Sequence, residues 1–201
     1  MDVPQQPRDA AGAPGPSGPD PVLLRRGNLV VTWSRAVVVA TVVVLLVLGA
    51  VLPYVTLDYI DAASQATTAR PRLLDAASLL GGVDPTYLPG YALEKRSAYN
   101  LALNFAAAGP GLQQIGTVAA LLTCWALLTE EINRIAWWFL HLSAYPLVLA
   151  AVPLLVGAVQ LHGLGVPLGL GAAWVPGLLA GVLVWLASWR ARPRIDTYGS
   201  F

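Results

Sequence analysis

An unbroken apolar run occupies residues 36–57, a far more polar stretch follows, and three further apolar runs crowd into residues 112–189. A helix rises about 1.5 Å per residue and the hydrocarbon core of a bilayer is about 30 Å thick, so about 20 apolar residues suffice to cross it. The pattern therefore predicts an all-α integral membrane protein with four transmembrane helices at about 36–57, 112–128, 135–159 and 168–189. Residues 58–111 become one large, partly helical extracytoplasmic loop between the first and second spans. Residues 1–27, rich in proline, glycine and alanine and without apolar periodicity, read as a disordered cytoplasmic tail. Residues 28–189 form the transmembrane domain, and residues 190–201 a short polar C-terminal tail. The first run is too long for a signal sequence and is expected to stay as an anchor.

Local signals refine the loop. Pro53 falls in the last turn of the first span and is expected to bend its exit, which places Tyr54 and Tyr59 in the outer headgroup layer. Residues 62–69 and 72–80 each read as a short helix, separated by Pro71, with Gly81-Gly82 ending the second. Residues 91–108 read as a third helix lying against the outer ends of the spans. Gly109-Pro110-Gly111 is expected to break it and turn the chain into the second span.

Charge adds an orientation. Arg25, Arg26 and Arg35 precede the first span, Arg134 lies between the second and third, and Arg190, Arg192 and Arg194 follow the fourth. Basic residues are retained on the cytoplasmic side of short flanks, so both termini are expected in the cytoplasm. Composition agrees with a membrane location: 56% of residues are hydrophobic, 11% are charged, and the mean hydropathy is +0.62. The net charge of +1 gives no concentrated basic face, which argues against nucleic-acid binding. The preference for arginine over lysine, with abundant alanine, glycine and valine, points to a bacterial plasma membrane.

The spans offer little chemistry. Ala173, Gly177 and Gly181 repeat at four-residue steps in the fourth span, and Gly116, Ala120 and Cys124 do so in the second. Such small-residue stripes let helix backbones approach closely. Pro146, Pro153 and Pro176 bend the third and fourth spans and open the alternative of a polar pocket around His141 and Tyr145. His141 reads as an interfacial histidine bonded to a neighbouring helix. The only other histidine, His162, is at the opposite end of the same span, so the two cannot share a metal or haem. Cys124 is the single cysteine, so no intrachain disulfide can form. Glu130 and Glu131 fit a solvated inner turn beside Arg134.

In the loop, Asp58, Asp61, Asp75 and Asp84 offer a carboxylate pair, with Arg70 and Arg72 to hold an anionic lipid headgroup if the fold brings them together. No phosphate loop, zinc-protease, serine-elbow or Cys-x-x-Cys motif occurs. No cofactor or metal is expected. The leading expectation is a non-catalytic accessory or structural subunit of a larger bacterial membrane complex, with the lipid bilayer and other integral membrane subunits as partners. A small transporter or channel subunit is the second reading. A membrane enzyme acting on a lipid or isoprenoid phosphate is the third.

Overall fold

The structure, a computed structural model, describes residues 22–26, 29–60, 65–129 and 134–191. The described chain is mostly helical. Three of its helices are long and apolar enough to cross a membrane: Trp33–Val51, Leu93–Leu128 and Arg134–Gly163. A further apolar helix, Trp174–Arg190, has 17 residues.

Strands β1 (Val22–Arg26) and β2 (Leu29–Thr32) pair as an antiparallel hairpin that runs directly into helix α1 (Trp33–Val51). β1 lies within the stretch read from sequence as tail, and all of it is exposed. α1 begins before its apolar run and stops at Val51, short of the predicted Leu57. Pro53 is the cause, because it lacks an N–H and disfavours helical geometry in the residue before it. The helix closes with Leu52 N donating to Leu48 O, and Val55–Ile60 becomes strand β3. Tyr54, expected half wet in the headgroup layer, is fully buried.

β3 is the centre of a three-stranded antiparallel sheet, between β4 (Ala66–Ala69) and β5 (Leu168–Leu170). Ala66–Ala69 is therefore a strand, not the end of the helix expected at 62–69, and residues 62–64 lie outside the described chain. Thr67 and Thr68 favour that outcome, since β-branched residues sit well on a pleated surface. Leu168–Leu170, read as the opening of the fourth span, likewise pairs with Val55–Leu57. Backbone bonds hold this crossing in place: Gly171 N donates to Tyr54 O at 3.0 Å and Ala173 N to Pro53 O at 3.1 Å.

After β4 comes helix α2 (Leu73–Gly82), then short 3-10 turns at Pro85–Tyr87 and Leu93–Lys95. Helix α3 (Arg96–Thr123) follows and passes straight through Gly109-Pro110-Gly111, ending in the 3-10 turn Cys124–Leu128. The expected break is absent because α5 packs on that segment. A Cβ on Gly109 would stand 2.7 Å from Leu154 Cβ and 2.9 Å from Ala150 O. Glycine is the residue that admits such an approach, and proline is tolerated inside an apolar helix that packs against neighbours. Residues 91–108 thus belong to the same rod as the second span.

The third apolar run forms helices α4 (Arg134–Leu149) and α5 (Ala151–Gly163), meeting at Ala150 between Pro146 and Pro153. Helix α6 (Trp174–Arg190) completes the chain. Two cores result. The inner one joins Val42 and Leu46 of α1, Ala120 and Cys124, Leu140, Ala144 and Leu147 of α4, and Ala180 and Val184 of α6. The outer one joins Tyr54 and Leu57, Leu73 and Leu80 of α2, Tyr99, Leu103 and Ala106 of α3, and Leu154 and Leu161 of α5.

Candidate functional site

The small-residue stripes lie inside the chain. A Cβ on Gly116 would fall 2.7 Å from Leu147 Cγ, and one on Gly181 would fall 2.7 Å from Leu147 Cβ. The same leucine of α4 is therefore gripped from α3 and from α6. Gly177 abuts the side chain of Gln113, Ala120 is buried in the inner core, and Ala173 is buried at the start of α6.

Gln113 is the polar centre of this region. It is buried; Tyr54 donates its hydroxyl to Gln113 Oε1 at 3.0 Å, and Gln113 Nε2 donates to Ala173 O at 3.3 Å. A Cβ on Gly49 of α1 would stand 3.1 Å from the same nitrogen. One side chain thus ties α3 to the end of α1 and the start of α6, at the level where the two cores meet. Next to it Gln114 Nε2 donates to Leu73 O at 2.6 Å and fixes the start of α2 on α3.

His141 sits at the other end of the inner core. Its Nδ1 is 2.9 Å from Ser188 Oγ on α6, and its Nε2 is 3.1 Å from Tyr145 Oη one turn along α4. Ser188 Oγ already donates to Trp185 O at 2.7 Å, so its remaining role toward the imidazole is acceptor. Nδ1 therefore carries the proton, and Nε2 accepts from Tyr145. Trp137 stacks on the ring with centroids 5.2 Å apart and planes 10° from parallel. Trp137 Nε1 also donates to Ser188 O at 2.7 Å, while Trp138 and Trp189 meet the imidazole edge-on. This is a helix-to-helix clamp in which both ring nitrogens have partners.

The outer carboxylates and arginines do not converge. Asp58 accepts from Thr68 Oγ1 at 2.6 Å across the β3–β4 pair. Arg72 bridges Pro53 at the other end of β3, five residues away, or about 16 Å along a strand. Arg70 and Arg72 are exposed, and Asp61 lies outside the described residues. Glu130 and Glu131 are outside them too. Among the described residues no three His, Cys, Asp or Glu side chains gather in a metal-binding group.

An open groove of about 570 Å³ lies between the end of β3, the end of α2 and the Pro85 turn, lined by Tyr59, Ile60, Leu79, Val83, Asp84 and Tyr87. Asp84 accepts from Thr86 N at 3.0 Å. That backbone bond, with one from the Thr86 side chain and the charge of Arg96, holds its carboxyl below the usual range, and Asp84 itself is exposed.

In the sequence Gln113 stands at the entrance of the second apolar run with nothing to mark its role, and Ser188 carries no distinction at all. The usable signal for Gln113 was an amide inside an apolar helix, which favours a bond to a partner helix. Compared with known proteins, the chain matches no family model, no curated protein and no solved structure.

Proposed function

We propose that this chain is a non-catalytic accessory subunit of a bacterial plasma-membrane complex, crossing the bilayer four times with both termini in the cytoplasm. The observation carrying this is what its buried polar groups do. The four buried polar residues of the described chain are Gln113, His141, Ser143 and Ser188. Gln113 of α3 bonds to Tyr54 beyond the end of α1 and to Ala173 at the start of α6, His141 and Ser188 join α4 to α6, and Ser143 bonds back to Leu140 O at 2.7 Å. Gln113, His141 and Ser188 thus serve helix assembly.

The orientation rests on three arginines. Arg35 Nη1 donates to Thr129 O at 2.7 Å, so the start of α1 meets the end of the second span. Contact of α4 with α6 through His141 and Ser188 puts Arg134 and Arg190 at that same end. A basic end of this kind is retained in the cytoplasm. Six of the seven tryptophans, all but Trp174, belong to this end as well, which suits an interfacial aromatic belt.

The partner is expected on the outer groove, where Tyr59 and Tyr87 offer the aromatic surface that protein contacts favour. The test is extraction from native membranes in mild detergent after photo-crosslinking from position 87. One discrete adduct with another integral membrane protein is expected. A chain that runs alone under every mild condition and forms no adduct overturns the proposal.

A further inference from the structure

The two longest helical rods pack on each other, and on their shared outward side the apolar surface continues above the level where α1 and α6 end. α5 exposes Val152, Leu155, Val156 and Val159, with Val159 at 72% exposure. Gly157 of α5 abuts Ala102 and Ala106 of α3, so Leu101 and Phe105, also exposed, stand at the same height.

The turn of α3 sorts its exposed residues. At about 100° per residue, Leu101 and Phe105 fall beside the α5-facing edge of Ala102, Ala106 and Gly109. Asn100 and Asn104 fall beside Ala107, which meets Gly81 of α2. The side toward α5 is therefore apolar and the side toward α2 polar. Charge follows the same division: Arg72 and Asp75 are exposed at the start of α2, level with Gln114. Between Arg134 and His162 there is no charged residue at all.

We infer that lipid tails cover the α5 side of the outer layer up to Val159, Leu101 and Phe105, while α2 and the sheet stand in water at the same height. The bilayer surface then crosses the molecule obliquely. From Ile135 to Val159 the helix path is about 36 Å. Fitting it into a core of about 30 Å takes a tilt of about 35°, inside the 0–40° range of membrane helices. Continuity selects lipid as the occupant, since Leu142 and Leu149 of α4 carry the same exposed surface downward without interruption. Lys95, exposed at the turn that opens α3, supplies a cation at headgroup level. The inference rests on the chain being membrane-spanning.

The single cysteine, Cys124, is buried, so a Cys124→Ala background accepts new probes. Phe105→Cys, Val159→Cys, Asn104→Cys and Leu142→Cys all replace exposed side chains. The purified chain is reconstituted in phosphatidylcholine–phosphatidylglycerol vesicles opened by freeze–thaw and treated with a charged maleimide. Asn104→Cys is expected to react at least tenfold faster than Phe105→Cys and Val159→Cys. Spin labels at 105 and 159 should be relaxed by dissolved oxygen and not by a water-soluble nickel chelate, as at 142. Equal maleimide rates at 104, 105 and 159 overturn the inference, and so does shielding of 105 and 159 from both relaxants, which means protein covers them. A fast reaction at 142 as well overturns the membrane reading itself.

Discussion

The inner and outer cores of this chain are built from different materials. The inner core is aliphatic and small, with Gly116, Ala120, Ala144, Ala180 and Gly181 bringing backbones close, and its hydrogen bonds join helix to helix. The outer core adds tyrosines, among them Tyr99, whose one hydroxyl proton is shared between Leu164 O at 3.1 Å and Gly90 O at 3.2 Å in two loops. In lipid there is no hydrophobic gain from pressing helices together, so close packing and interhelical bonds must hold them. Where water reaches one face, burial of Leu57, Leu73, Leu80 and Leu88 drives assembly directly. On the proposed topology one chain thus uses two assembly principles, joined at Gln113.

The largest effect should come from filling the closest approach in the outer core. Gly157→Val forces a side chain into the backbone of Ala102 and Ala106, and overpacking of this kind costs about 3 kcal/mol. Thermal unfolding in detergent, followed by tyrosine and tryptophan signals in a Trp174→Phe background, should show the tyrosine-rich outer core melting first. A single coincident transition would mean that the two cores are one unit.

Cutting the link is next. Gln113→Leu leaves the Tyr54 hydroxyl and Ala173 O without their partner, a loss of about 2 kcal/mol. It should also widen the gap between the two transitions. Unchanged coincident melting would show that the amide joins nothing.

His141→Phe keeps the ring stacked on Trp137 but removes both hydrogen bonds. Interhelical bonds of this type contribute about 1 kcal/mol in membranes, so a modest loss confined to the inner transition is expected, with partner capture retained. Loss of a transport activity with unchanged melting would instead favour the pocket reading.

The smallest effect concerns acid. Because the Asp84 carboxyl is held below its ordinary range in the folded chain, its stabilising contribution is complete above about pH 4 and fades as pH falls through the depressed value. Asp84→Asn should flatten that acid limb in the outer transition alone, as read by a pH series of melts.

Legibility differed between the cores for a physical reason. The apolar run from 36 announced α1, and the runs from 112 and 135 announced the lower part of α3 and α4 with α5, because lipid demands uninterrupted helices. Thr67 and Thr68 in β4 and Leu168 in β5 were misread, since a strand three or four residues long takes its identity from distant partners rather than from its own periodicity. Gly109-Pro110 misled for the same reason: its local preference is to turn, and the contact of α5 overrides it. The His141 clamp was half visible. The histidine and Tyr145 stood out one turn apart, but Ser188 is 47 residues away and nothing local marks it.

β3 pairs with β5 in a register that sets Leu57 opposite Leu168. At a synthesis rate of about 5–20 residues per second, β3 leaves the ribosome several seconds before its partner exists. Only β4 is at hand during that interval, and on the proposed topology one edge of β3 waits open outside the membrane. The outer layer therefore closes only after α4 and α5 have been made, so a chain truncated before β5 should insert its early spans yet present a permanently unfinished sheet to proteases and chaperones.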